Sequence, residues 1–96
     1  MAYVGIARLS FRAGYVRSLK EKRSIVNSLK AKVKNKFNVS ISETEDLDQH
    51  KSIVISVACV SSDRDIIEGT MRKVADFILN SFDVELIQEE TYIDNY

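Results

Sequence analysis

The 96-residue sequence predicts an α+β fold of element order β-α-β-β-α-β, with one four-stranded antiparallel sheet carrying both helices on one face. Three observations carry that expectation. Four short segments alternate apolar and polar residues with a period of two, and two longer segments repeat apolar residues every three to four positions. Turn residues separate the segments, yet the chain has no proline and only three glycines, so no linker divides it. One domain over residues 1–96, around one core, is the expected organisation.

The first strand is read over residues 3–12, where Tyr3, Gly5, Ala7, Leu9 and Phe11 alternate with Val4, Ile6, Arg8, Ser10 and Arg12. Ala13-Gly14 ends it. Ser18 with Glu21 three residues on is a capping-box signature, in which each side chain satisfies a backbone N–H of the helix start. The helix then runs to about Phe37, on an apolar stripe of Leu19, Val26, Leu29, Val33 and Phe37 bordered by Ile25. Residues 37–43 alternate as a second strand, with Phe37, Val39, Ile41 and Glu43 on one face. Residues 45–50 form a polar hairpin connection.

The third strand spans residues 51–60. Ile53, Ile55, Val57 and Cys59 form one face, and Val54, Ala58 and Val60 partly fill the other, a pattern that marks a central strand. Ser61-Ser62-Asp63 supplies N-cap candidates for the second helix, whose buried stripe is Ile67, Met71, Val74, Ile78 and Phe82. Gly69 costs that helix roughly 1 kcal/mol relative to alanine, so a close packing contact is expected there. Residues 84–93 read as the fourth strand. With right-handed crossovers, this order gives the ferredoxin-like arrangement. Its second sheet face would be left partly apolar, which predicts coverage by a partner and a homodimer through that face or a sheet edge.

Zero net charge conceals a strong asymmetry. Residues 1–40 carry ten Lys/Arg against one acid, and residues 41–96 carry four against thirteen, so the two halves carry about +9 and −9. Such a distribution points to a polyanionic partner or to self-association. The start of the chain shows no secretory leader pattern, no apolar run reaches membrane-spanning length, and Cys59 is alone. A cytoplasmic protein without membrane association is expected.

The motif Ser18-Leu19-Lys20-Glu21-Lys22-Arg23-Ser24 resembles the hallmark of the YlxP-like bacterial family of unknown function. Phe37-Asn38-Val39-Ser40-Ile41-Ser42-Glu43 and Val60-Ser61-Ser62 resemble it as well, so the likeness spans the chain. It implies a small ferredoxin-like domain and a gene that often neighbours those for transcription elongation, translation initiation and ribosome maturation. It implies no catalytic residue.

The candidate site is the first helix. At 100° per residue, Lys20, Arg23, Asn27, Lys30 and Lys34 fall within about 80° of one another. Ser24, Ser28, Ala31 and Asn35 form the outermost face, and Lys32 and Lys36 lie on the opposite flank. Lys20, Lys22 and Arg23 also stand in the first turns, where cations oppose the helix dipole at roughly 0.3–1 kcal/mol each. A phosphate would relieve that repulsion. The expected RNA- or anion-binding set is therefore Arg17, Lys20, Lys22, Arg23, Lys30 and Lys34.

Other motifs read as structural. The third strand lacks the aromatics on which an RNA-recognition sheet stacks bases. Glu43, Glu45, Asp46 and Asp48 lack the glycine turn of a calcium loop and read as a solvated segment. His50 has no nucleophile or metal partner in sequence, and Cys59 reads as an inert core residue. There is no Gly-rich phosphate loop.

The expected function is thus non-enzymatic and cofactor-free: electrostatic binding of RNA or a ribosomal particle, without sequence-specific reading of DNA. A module pairing its basic helix with the acidic surface of another copy, chiefly Glu85, Glu89, Glu90 and Asp94, is the first alternative. A ligand-sensing or enzymatic domain of the same fold is the second.

Overall fold

The computed structural model describes residues 1–96. Its elements are β1 (Tyr3–Arg12), α1 (Leu19–Lys36), β2 (Ser40–Glu45), β3 (Ser52–Ser61), α2 (Arg64–Ser81) and β4 (Glu85–Asn95). The strands form one antiparallel sheet in the order β2-β3-β1-β4. Both helices pack on one side of it, and the fold is the ferredoxin-like α+β arrangement.

Alternation decides which side chains meet the helices. Ala7, Leu9 and Phe11 of β1 and Ile53, Ile55 and Val57 of β3 are buried against Val26, Leu29 and Val33 of α1 and Ile67, Val74 and Ile78 of α2. Burying such side chains contributes about 1.5–3 kcal/mol each before chain entropy is subtracted. α1 packs towards the β2 margin of the sheet, while α2 lies over β1 and β3 and reaches β4.

Both helices begin on side-chain caps. Ser18 Oγ accepts from the Glu21 N–H at 3.1 Å, and Asp63 Oδ1 accepts from the Asp65 N–H at 2.8 Å. Only the Ser18 half of the expected capping box forms. α1 stops where Phe37 turns extended and gives its N–H to the Val33 carbonyl. Its ring packs edge-on against Phe77, 5.8 Å between centroids. That helix-capping role explains why β2 begins at Ser40 rather than at Phe37.

Close approach occurs at Gly5, not at Gly69. A Cβ on Gly5 would overlap Ile67 Cγ2, so β1 admits α2 only because that side chain is missing. A Cβ on Gly69 would meet nothing within 4 Å beyond its own helix backbone, and the expected packing contact is absent.

The sheet carries two register shifts. One separates Glu43 from Glu45 on β2, and the other falls between Ser10 and Phe11 where β1 meets β4. The first is a bulge at Thr44. It turns Glu43 towards the helices, opposite Ile55, and Glu45 towards the other side, opposite Val54. Two glutamates two residues apart thereby serve opposite faces of the sheet.

Candidate nucleic-acid interface on the first helix

The six predicted cations do not form one set. Lys22 is fully buried, at 0% exposure, and is withdrawn from any surface site. Its Nζ donates to the carbonyls of Asp46 at 2.6 Å and Gln49 at 2.7 Å, and it lies 2.7 Å from Glu43 Oε2. That carboxylate contact is an ion pair without the angle of a directed hydrogen bond. The sequence expectation fails here for a geometric reason: Lys22 lies four, seven and eleven residues before Val26, Leu29 and Val33, on the buried stripe itself. Its charge near the helix start is answered within the fold rather than by an external phosphate.

Glu43 is likewise not a solvated loop residue, since only 12% of its side chain is exposed. Asp46, beside it, adopts the left-handed backbone conformation (φ 55°) and accepts from Ser52 Oγ through Oδ2 at 2.7 Å. Lys22 therefore ties the first turn of α1 to the β2–β3 connection.

Arg17, Lys20, Arg23 and Lys34 are exposed and Lys30 is half-buried. None of these five has a carboxylate within 4.0 Å, whereas Arg8, Lys22 and Arg64 do. Lys32 and Lys36, on the other flank, lie 5.2 Å and 5.1 Å from the ring centroids of Phe82 and Phe77. This places that flank against α2. The flank of Lys20, Arg23, Lys30 and Lys34 accordingly turns away from α2, beyond the β2 margin.

The sheet side without helices is organised differently. Arg8 stands at its centre, with Nη1 2.9 Å from Glu45 and Nη2 2.7 Å from Glu90. The hydrogen bonds to Glu90, then to Glu45, raise the Arg8 guanidinium above its ordinary pKa. Thr44 and Ser56 share a 2.8 Å hydroxyl hydrogen bond nearby. Val4, Ile6, Val60 and Tyr92 form an exposed apolar cluster at one end. Tyr3 and Phe11 face the core instead, so Tyr92 is the single aromatic of the strands on this side.

His50 is half-buried at the β2–β3 connection, beside an open hollow of about 950 Å³ that Arg12, Asp48 and Lys51 also line. Cys59 is half-buried at the edge of the core, and burial pushes its thiol pKa up. No helix is long and apolar enough to cross a membrane.

Residues 4–91 match the family described as "Protein of unknown function (DUF503)". Over 61 residues the chain is 43% identical to "Uncharacterized protein YlxP" of Bacillus subtilis, a match covering 64% of this chain and 66% of that protein. Among solved structures, a VAO-type flavoprotein from Myceliophthora thermophila superposes with a TM-score of 0.58 at 12% identity. That match covers 96% of this chain and 16% of the flavoprotein chain. The de novo designed protein Foldit4 superposes with a TM-score of 0.52 at 16% identity, covering 100% of this chain and 99% of the design. At these identities the two structures share the fold alone.

Proposed function

The chain belongs to the DUF503 family, of unknown function, and from that premise we propose that it binds structured RNA or a ribosomal particle electrostatically through one flank of α1. The observation that supports this reading is the run of cations along one flank of α1, Lys20, Arg23, Lys30 and Lys34 with Arg17 at the helix entrance, none of which has a carboxylate within 4.0 Å. Phosphate contacts of this kind supply affinity and orientation without sequence reading. The small residues Ser24, Ser28 and Ala31 beside them let a phosphate backbone approach the helix closely. In this reading the domain performs no chemistry and takes no cofactor. Crosslinking in the native cell, followed by identification of the attached RNA, tests the proposal; recovery of ribosomal RNA on α1 peptides is expected, and its absence overturns the reading.

Association of copies is a second reading, favoured by the exposed cluster of Val4, Ile6, Val60 and Tyr92. Docking of basic α1 on acidic β4 of another copy is a distinct form of it. Those surfaces lie at opposite margins of the sheet, so such pairing is head-to-tail and tends to rings or open chains. Sedimentation in low and high salt separates the two forms: a face-to-face dimer persists in salt, and a charge-paired chain dissolves.

A further inference from the structure

β4 is exposed along most of its length, and only Leu86 and Ile93 of its eleven residues are half-buried. It is the last strand of the sheet, so one of its edges has no partner. α2 does not roof it either. The residues of β4 on the helix side are Leu86, Glu89, Thr91 and Ile93, as their pairing with Phe11, Leu9, Ala7 and Gly5 shows. Glu89 and Thr91 are too polar to pack under a helix, and a groove of about 350 Å³ remains between β4 and α2. Its lining is mixed: Leu9, Met71, Ala75, Leu86 and Ile93 are apolar, and Glu68, Asp76 and Glu89 outnumber the arginines Arg64 and Arg72 among the charged residues.

We propose that this free edge, with the groove beside it, accepts an extended basic peptide segment of another protein as a fifth strand. Charge selects the occupant. β4 carries Glu85, Glu89, Glu90 and Asp94 and no Lys or Arg. Pairing two copies of β4 antiparallel about the strand centre would set Glu90 against its own counterpart, which like-charge repulsion across strands disfavours. β4 has no lysine or proline; its edge is guarded against self-pairing by the register shift opposite Ser10 and Phe11 and by the helix-facing Glu89, an acidic guard that a basic strand would neutralise.

A strand with alternating character satisfies both surfaces. Backbone hydrogen bonds to β4 supply the pairing, apolar side chains enter the groove, and Lys or Arg side chains on the other side meet Asp94 and share Glu90 with Arg8. The site lies at the sheet margin opposite the β2 side where α1 packs, so it does not compete with the RNA surface and stands or falls independently of it.

The test is fluorescence anisotropy of the whole protein with a labelled ten-residue peptide alternating valine and lysine. Saturable binding that weakens with salt is expected. The same peptide N-methylated along one edge should bind at least ten-fold more weakly, and a valine–glutamate peptide should not bind. The double variant Glu89→Lys/Glu90→Lys should lose ten-fold or more for the lysine peptide. Equal binding of the N-methylated peptide would show simple adsorption and overturn the proposal, as would equal binding of the glutamate peptide. The peptide controls use the unaltered protein, so their outcome does not depend on how the variant folds.

Discussion

The Lys22 ammonium lies 2.7 Å from Glu43 Oε2 while holding the Asp46 and Gln49 carbonyls, which fastens helix α1 to the β2–β3 connection. Removing one member of such a buried pair leaves the other charge uncompensated, at about 3–5 kcal/mol. Lys22→Met should therefore cost about 3 kcal/mol in urea unfolding. Glu43→Gln should cost less, because Glu43 retains some solvent and the two carbonyls still hold the ammonium. A double-mutant cycle should show strong coupling between the two positions.

The two glycines Gly5 and Gly69 should respond in opposite directions. Gly5→Ala drives a methyl into Ile67, and overpacking of this kind costs about 1–3 kcal/mol. Gly69→Ala meets open space in the middle of α2, so it should stabilise by up to about 1 kcal/mol. Thermal unfolding of the two single variants checks both signs.

Tyr15 gives stability a dependence on alkaline pH. Burial first, then the charges of Asp83 and Glu21, raise its phenol above the ordinary value. A raised pKa in the fold means that the folded state binds more protons within the window. Stability is fully present below about pH 10, the unfolded value, and falls as pH rises through the folded value. Half exposure of the ring keeps the effect small. Unfolding free energies of wild type and Tyr15→Phe should therefore run parallel below about pH 9 and diverge above about pH 10, with the variant losing less.

Cys59 should behave as an unreactive thiol. Burial raises its pKa, and the thiolate is the reactive species. Labelling by a thiol reagent near neutral pH should be slow in the folded protein and fast in urea. Equal rates in both conditions would contradict its place at the edge of the core.

The element order was legible because the apolar periods switch cleanly between two and 3.6. Ile53, Ile55 and Val57 on one face of β3, and Ile67, Val74 and Ile78 along α2, required no knowledge of the fold. The burial of Lys22 was legible too, since its spacing to Val26, Leu29 and Val33 continues the apolar stripe; its chemical type suggested the surface instead. Its partners were not legible. The carbonyls of Asp46 and Gln49 depend on a loop conformation, and the inward turn of Glu43 beside the outward turn of Glu45 depends on the bulge at Thr44. Strand alternation alone cannot locate such a bulge. The helical period alone groups Lys20, Arg23, Lys30 and Lys34 on one flank of α1, whereas the seating of Lys32 and Lys36 over the rings of Phe82 and Phe77 depends on how α1 packs beside α2.

RNA binding through α1 is tested most directly by the salt dependence of binding to purified ribosomal RNA, for wild type and for a variant with Lys20, Arg23, Lys30 and Lys34 replaced by alanine. These side chains lie outside the core, so circular dichroism and unfolding should match between the two proteins. Each cation on a phosphate contributes about 0.7–0.9 to the slope of log affinity against log salt. Wild type should show a steep slope, reduced by about 3 in the variant, with much weaker binding of the variant at low salt. Equal affinity and equal slope for the two proteins would contradict a phosphate-binding role for this flank.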